Sequence, residues 1–392
     1  MSAFILWGIT PSPYQLKMQA LLDYAEHAWQ RWPEQASRGQ ALMMALRLAR
    51  AKRRGEVSKF SGLAQGEDEY PAVPFYTEDG RQFSYDSSGL ARYLDQHPQR
   101  HGRPLVPAQS PRLAFLCRLI DEAFDEFGLY MVHHNRWVTS AATNVMGETT
   151  ARELRKLLPP LVPRLVAKRM PRRQVRRLPY LMSVAPAGYE AGVSPGLTPP
   201  SRPGFPPTHG LLDAAWRQYL AAMESVLQHQ PYLLGERFTL ADASAYGQLS
   251  MNLVDGRAAE LLQELAPVTF DWLRGIRDGR HVASAGALYA SDALAPLVQA
   301  IRETFMPLMQ QNHAAYRRAS DEGETLFNEA AFDLGRALYP GELQGWPFRA
   351  VAKSFQAVVW RELCADWQGL ARHEKDQLET QYGLHGSAFG GV

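Results

Sequence analysis

The first hundred residues alternate between short apolar runs and helical spacing. Residues 3–8 form a compact apolar run that predicts a buried strand, and from Pro13 apolar residues recur every three or four positions, which predicts a helix. Residues 28–32 alternate apolar with polar, as in a second strand that a crossover brings parallel to the first. The chain is therefore predicted to open as a β-α-β unit.

The next segments complete a small α/β domain. Residues 40–60 have the pattern of an amphipathic helix with a basic end, and residues 73–85 that of a hairpin closed at Asp79-Gly80. Asp86 precedes a further helical pattern and is a suitable cap for it. These patterns predict an α/β domain over residues 1–97.

Beyond this domain the pattern is mostly helical. Residues 98–110 are polar and Pro-rich and are predicted to be a linker, after which apolar residues return at helical intervals through residues 111–320. A Pro- and Arg-rich stretch near 157–208 interrupts this spacing and is predicted to be an irregular, partly mobile insertion. Residues 321–392 form an extension with at least one helix, around residues 350–371.

Composition narrows the classes of partner. The 392 residues include 42 basic and 40 acidic side chains, so the net charge of +2 creates no overall field for nucleic acid or membrane. The two cysteines, Cys117 and Cys364, are far apart in the sequence, as in a reducing compartment. No signal segment or membrane span is apparent, so we expect a cytoplasmic protein without nucleic-acid or membrane partners.

The insertion carries a local cluster of basic residues that the small net charge of the whole chain does not reveal. Solvation or pairing with acidic helices explains such residues, and an anion-binding patch is the alternative. The residues are Lys168, Arg169, Arg172, Arg173, Arg176 and Arg177.

Ser12 has two interpretations. It precedes Pro13, which is favoured at the first helical position, and Gln15 follows three residues later, so the segment fits a capping box. Its hydroxyl is also a candidate catalytic group. Thr239 and Asp242 form a second capping pattern, with Phe238 placed to staple the helix entry.

Four motifs together resemble the cytosolic glutathione transferases. "SPYQLK" at residue 12 looks like the turn after the first strand, "AVPF" at 72 like the cis-proline turn, and "YDSSGLARYL" at 85 like the acidic-serine element. "YLLGERFTLADASAYG" at 232 is similar to the start of the buried helix in the family's helical domain. The resemblance implies a thioredoxin-like α/β domain, then an all-α domain, here with an extra helical extension.

The resemblance also implies a glutathione site. Ser12 matches the serine whose hydroxyl activates the glutathione sulfur, and Val73 the residue whose backbone pairs with the cysteinyl amide. Pro74 matches the cis-proline, and Asp86 and Ser87 the pair that holds the γ-glutamyl end, although plain helix capping also explains this pair. The residue for the glycine carboxylate does not align. Its candidates are Lys52, Arg53 and Lys59.

A pocket for a second substrate is expected between the two domains. Arg136 is a candidate to bind an acidic substrate and either His133 or His134 to move a proton, while packing between domains is the alternative for each. Adjacent helical histidines point in different directions, so no metal site is expected. The pocket candidates are Tyr14, Tyr130, His133, His134, Arg136 and Trp137.

The function implied is that of a glutathione-dependent transferase, isomerase or lyase acting on a small electrophile. Glutathione is the expected cosubstrate and a homodimer the expected assembly. Serine in place of cysteine at position 12 argues against thiol reductase chemistry. The alternative is a non-enzymatic binding or scaffold protein of the same fold, with Ser12 retained only as a helix cap.

Overall fold

The computed structural model describes residues 3–59, 73–96 and 103–390, and its chain opens with the predicted β-α-β unit. Strand β1 (Phe4–Trp7) leads into helix α1 (Pro13–Tyr24), and strand β2 (Trp29–Trp32) lies parallel to β1. Phe4 and Leu6 of β1 are buried against α1, because alternate side chains of a strand point to the same face.

Three further strands complete a five-stranded sheet in the order β2-β1-β4-β5-β3. The predicted hairpin forms between β4 (Phe75–Thr77) and β5 (Ser84–Tyr85), which are antiparallel. Helix α2 (Arg38–Arg54) and helix α3 (Ser87–Gln96) complete this region. Strand β3 (Ser58–Lys59) pairs with β5, and the sequence analysis does not predict it, because two residues carry no periodicity.

The predicted boundary between the domains lies outside the described residues, which resume at residue 103. The described end of the linker, residues 103–110, leads to helix α4, where Ser110 accepts a hydrogen bond from the Leu113 amide. The predicted linker over residues 98–110 is therefore described only in part.

The region after the linker is helical, as predicted. Helices α4 and α5 are joined and continued by π-helical turns (124–128 and 135–139), so that one helix runs from residue 111 to residue 139. The helices of this region are α4 (Pro111–Ala123), α5 (Leu129–His134), α6 (Met146–Glu153), α7 (Val162–Arg176), α8 (His209–Leu227), α9 (Leu240–Leu249), α10 (Gly256–Leu265), α11 (Pro267–Arg277), α12 (Ala295–Glu303) and α13 (Phe305–Asp321). None of the described helices has both the length and the apolar run needed to cross a membrane.

The insertion is not irregular throughout, so that expectation is wrong for its first part. Residues 162–176 form helix α7 despite Pro171 in its interior. Pro171 has no N–H, so the carbonyl of Ala167 has no helical donor. Gly147 of α6 covers this carbonyl so closely that a Cβ at residue 147 would lie 2.3 Å from its oxygen. Packing against α6 thus stabilises a helix that the prolines obscure in the sequence.

The extension is part of the main core. It contains α14 (Glu329–Asp333), strands β6 (Leu338–Leu343) and β7 (Trp346–Val351), α15 (Ser354–Gly369) and α16 (Arg372–Tyr382). Helix α15 is the predicted helix, whereas the antiparallel β6-β7 pair is not predicted. Phe115 of α4 stacks edge-on with Trp367 and Phe389, with ring centroids 5.4 and 5.6 Å apart, which fixes the extension on the helical region.

A buried lysine joins the two regions. Lys17 of α1 is 1% exposed, and its Nζ donates to Asp121 and Asp125 at 2.6 Å and to Ser88 Oγ at 2.8 Å. Burial alone would lower the pKa of Lys17, but the two carboxylates raise it above its ordinary value. Lys17 therefore stays charged, with two of its N–H donors directed across the interface and the third to α3 of its own region.

We predict that Lys17→Met destabilises the protein by about 3–5 kcal/mol, because it leaves two buried carboxylates without their cation. The free energy of unfolding from urea titrations at pH 7 measures the effect. The loss should shrink at lower pH, where the unpaired carboxyls take up protons. Lys375→Met is the control: this lysine on α16 donates only to the Gln368 carbonyl, and its removal should cost less than about 0.5 kcal/mol.

Candidate functional site

A cleft of about 980 Å³ lies between the α/β region and the helical region. The α/β region contributes one wall, the α4–α5 helix faces it, and the insertion and the extension form the remainder. The structure brings seven of the sequence-predicted residues together along this cleft. They are Tyr14, Lys52, Val73, Pro74, Asp86, Ser87 and Tyr130.

The α/β wall ends at the start of helix α3. The Val73–Pro74 peptide is cis, as the resemblance implies. Asp86 has φ of 87°, and its Oδ1 accepts hydrogen bonds from the amides of Ser88 at 3.0 Å and Gly89 at 3.1 Å. Asp86 is therefore a helix cap, and the amino-terminal end of α3 faces the cleft.

Asp125 from the opposite wall completes this end of the cleft, and the sequence analysis does not single it out. Its Oδ2 accepts from Lys17 and, at longer range, from the hydroxyls of Ser87 and Ser88 at 3.5 and 3.4 Å. Its Oδ1 is buried with no hydrogen-bond partner among the described residues. Burial raises the pKa of Asp125 to about 7, since Lys17 offsets the desolvation only in part. A vacant buried acceptor at the edge of a cleft suits a cationic or N–H donor group.

Of the three candidates for a carboxylate-binding cation, Lys52 lines the cleft. Its Nζ lies 4.1 Å from the centre of the Phe75 ring, and burial lowers its pKa. Arg53 is exposed and does not line the cleft. The side chain of Lys59 lies outside the described part of the structure.

Ser12 lies at the start of α1 but does not line the cleft, and it is 8% exposed. The capping-box prediction is wrong: the Ser12 side chain makes no cap hydrogen bond, and both polar atoms of the Gln15 amide are buried without partners. The loop before Ser12 is instead bound by the helical region. Glu153 accepts from the Thr10 amide at 2.8 Å, and Arg136 donates to the Pro11 carbonyl at 3.0 Å.

Arg136 does not line the cleft and serves as a buried tether. Its Nε donates to both oxygens of Asp255, at 2.9 and 2.8 Å, and its Nη2 donates to the Met251 carbonyl at 2.7 Å. With its bond to the Pro11 carbonyl, this guanidinium is committed to holding the loop and the helices together. Arg136 thus lies outside the cleft.

The neighbouring pocket candidates also lie outside the cleft. His133 is within 3.2 Å of Gln174, and His134 within 2.8 Å of the Ser183 hydroxyl. Burial lowers the pKa of His133 to about 3 and that of His134 well below its ordinary value. Trp137 packs in a small apolar cluster between α6 and α7. Separations of three, four and seven residues from Tyr130 predict a shared helix face for these residues, but of the four only Tyr130 lines the cleft.

Comparison with known proteins identifies the helical region. Residues 187–275, which include α8 to α11, match the family model described as "Glutathione S-transferase, C-terminal domain". Within them, Asp242 accepts from the Thr239 amide at 2.9 Å and from the Leu233 amide at 2.8 Å, so the second predicted capping pattern is present. This part of the chain is similar to the C-terminal domain of the glutathione S-transferases.

Two solved structures are similar to this chain. One is glutathione S-transferase III in its apo form, with 16% identity over 76% of this chain and 97% of its own, and a TM-score of 0.34. The other is a glutathione S-transferase from Pseudomonas fluorescens, with 15% identity over 70% of this chain and 94% of its own, and a TM-score of 0.32. No curated protein matches the chain in sequence.

Segments beyond the matched residues form the wall at the other end of the cleft. Arg177 and Tyr180 come from the insertion, and Lys353 and Gln356 from the start of α15. The sequence analysis named Arg177 only as part of the basic cluster, and it did not single out Tyr180, Lys353 or Gln356. A lysine directly before a long amphipathic helix is a weak signal, and only the packing of the extension brings it to the cleft.

We predict that His209 makes the protein less stable in acid. Its ring lies 4.8 Å from that of His134, neither of its nitrogens has a partner among the described residues, and burial lowers its pKa to about 4. The unfolded chain takes up this proton near pH 6.5, so the residue destabilises the fold as the pH falls from 6.5 towards 4.

The free energy of unfolding of His209→Phe minus that of the wild type should therefore be about 2 kcal/mol larger at pH 5 than at pH 7.5. Denaturant titrations of both proteins at the two pH values measure this change. The contributions of the other ionisable groups are nearly the same in both proteins, so they largely cancel in the difference. His373→Phe, at an exposed position on α16, is the matched control and should show no such change. A pH-independent difference at residue 209 would contradict the prediction.

Proposed function

We propose that the protein is a glutathione-dependent transferase, isomerase or lyase that acts on a small electrophile in the cleft. The observation that carries this proposal is the convergence of Val73, Pro74, Asp86 and Ser87 on one wall, opposite Asp125. Four residues chosen from sequence motifs thus face one cavity beside a vacant buried acceptor. Glutathione is the cosubstrate, and no metal is required for this chemistry.

The charges of the cleft fit the three ends of glutathione. The amino-terminal end of α3, with Ser87 beside it, suits the γ-glutamyl carboxylate, and the vacant Oδ1 of Asp125 suits the adjacent ammonium. The backbone of Val73 would pair with the cysteinyl amide. Lys52 would meet the glycine carboxylate at the other end.

Two hydroxyls compete for the role of activating the thiol. Ser12 remains our candidate: its hydroxyl has no hydrogen-bond partner among the described residues and stands at the positive end of α1. Tyr14 lines the cleft, but its hydroxyl donates to the Asp125 carbonyl at 2.9 Å, and burial raises its pKa well above its ordinary value. A hydroxyl donor at this place would favour the thiolate and so raise its concentration at neutral pH.

A second function, that of a binding or scaffold protein without activity, is favoured by one observation. Ser12 does not line the cleft, and the loop before it is bound by Glu153 and Arg136. In that case the cleft would hold a ligand without activating it. For either function we propose a cytoplasmic homodimer, which analytical ultracentrifugation can test.

We predict that the wild type binds glutathione with a thiol pKa one to two units below that of the free thiol, and that Ser12→Ala abolishes this shift. Conjugation to 1-chloro-2,4-dinitrobenzene should then fall about tenfold or more. Because Ser12 makes no cap bond, the free energy of unfolding should change by less than about 0.5 kcal/mol. Calorimetry, thiolate absorbance and steady-state rates measure these effects.

Tyr14→Phe is the matched variant, since it removes the competing hydroxyl two residues away. Loss of the pKa shift in Tyr14→Phe but not in Ser12→Ala would assign thiol activation to Tyr14. Glutathione binding without a pKa shift or turnover in the wild type would establish the binding-protein alternative. If the wild type neither binds glutathione nor turns over electrophiles, the glutathione-dependent function falls and the binding or scaffold alternative gains.

A further inference from the structure

One side of helix α7 is exposed and strongly basic. Between Glu153 and Glu190 the sequence has nine basic side chains and no acidic one. Six of the nine are exposed and recur at helical spacing, so they share one face of α7 along about 18 Å. These six are Arg164, Lys168, Arg169, Arg172, Arg173 and Arg176.

No carboxylate of the described structure pairs with this basic face. Arg177, at the end of the helix, is paired with Glu329, whereas none of the six exposed cations forms an ion pair among the described residues. Glu153, which precedes the helix, is buried and accepts from the Thr10 amide. The six like charges therefore repel one another, and an anionic partner would relieve this repulsion.

The amino-terminal end of the same face is apolar. Leu161 is 79% exposed and Leu165 is 43% exposed. Leu165 lies one turn before Arg169, so the leucines continue the exposed stripe of basic residues. Large apolar side chains left in water beside a row of cations are typical of helices that lie on a membrane surface.

Helix α2 has similar chemistry and begins beside α7. Lys156, which precedes α7, donates to the carbonyls of Glu34 and Ala36, which precede α2, at 2.6 and 2.5 Å. Helix α2 contains six basic residues and no acidic one. Its exposed apolar side chains are Leu42, Met43 and Leu46. The apolar end of the α7 face therefore has a second apolar and basic helix next to it.

A depression of about 590 Å³ on α7 suits a phosphate group. It is bordered by residues of α7 alone, which include the apolar Val166 and Met170. Four arginines of the basic face border it as well. Arginine donates two parallel N–H groups to a phosphate, so this row offers several such pairs to a headgroup.

These features together favour an anionic lipid surface over other polyanions. A second copy of the chain that docked through the same face would bring one basic stripe against another. A nucleic acid would supply phosphates, but its backbone gains nothing from exposed leucines, and α7 has no aromatic side chain on which a base could stack. A lipid surface supplies both negative headgroups and an apolar layer beneath them.

We propose that α7 docks the protein on an anionic membrane surface, with its six exposed cations at the headgroups and Leu161 and Leu165 at the acyl boundary. Such docking is peripheral and needs no membrane-spanning helix. It departs from the sequence-based expectation of no membrane partner, which weighed the net charge of the whole chain rather than the field of one helix. It is independent of the proposed glutathione-dependent function.

Sedimentation of the full chain with lipid vesicles, without glutathione, tests this inference. We expect the wild type to bind vesicles of phosphatidylcholine that contain about 30% phosphatidylserine and not vesicles of phosphatidylcholine alone. Added NaCl should weaken the binding, because it screens the charges. Arg164→Gln/Lys168→Gln/Arg169→Gln should lower the binding constant for the anionic vesicles about 10²-fold.

The matched control removes three arginines that carboxylates already pair with. Arg217→Gln/Arg257→Gln/Arg372→Gln lowers the net charge by the same amount, but these exposed residues of α8, α10 and α16 pair with carboxylates on their own helices. The control should bind the anionic vesicles as the wild type does. Equal losses in the two triple variants would assign the binding to net charge and overturn the inference.

A fluorophore at residue 161 tests whether the leucine end enters the lipid. Cys117 and Cys364 are buried, so a thiol-reactive dye sensitive to polarity should label Leu161→Cys selectively. Its emission should shift to shorter wavelength on the anionic vesicles. An unshifted emission, a wild type that does not sediment with these vesicles, or binding to a DNA duplex without binding to vesicles would each overturn the inference.

Discussion

The ammonium of Lys17 is the constraint on which the rest of the structure depends. A buried lysine must satisfy three N–H donors and a full charge, and here the acceptors come from α4, from the turn that follows it and from the start of α3. This requirement fixes the α/β region against the long helix. It also holds Asp125 at the edge of the cleft with one carboxylate oxygen still vacant.

The cleft is a composite of three parts of the chain, and its two ends differ in chemistry. The end near α3 offers amides, hydroxyls and one vacant acceptor, which suits a zwitterionic peptide. The far end, built by the insertion and the extension, offers the ammonium of Lys353, which donates to the Tyr130 hydroxyl. The insertion and the extension thus supply one end of the cleft.

Sequence reasoning succeeded where the signal is local. The β-α-β unit, the hairpin at Asp79-Gly80 and the Thr239–Asp242 pattern each depend on neighbours within a few residues, and each is present. It failed where a distant segment intervened. The prolines hide α7, which packing on α6 stabilises, and Ser12 loses its cap because the loop before it is bound by Glu153 and Arg136.

The sequence by itself determined the β-α-β opening, the helical character of the second region and the motif residues along the α/β wall, because periodicity and turn chemistry depend on residues close together in the chain. Only the tertiary structure decided which side chains share the cleft. Residues 133, 134, 136 and 137 lie within seven positions of Tyr130 yet do not line the cleft, whereas Lys353 is 223 positions away and contacts its hydroxyl. Long-range packing sets such contacts, and spacing along one helix does not determine which of its residues border a cavity.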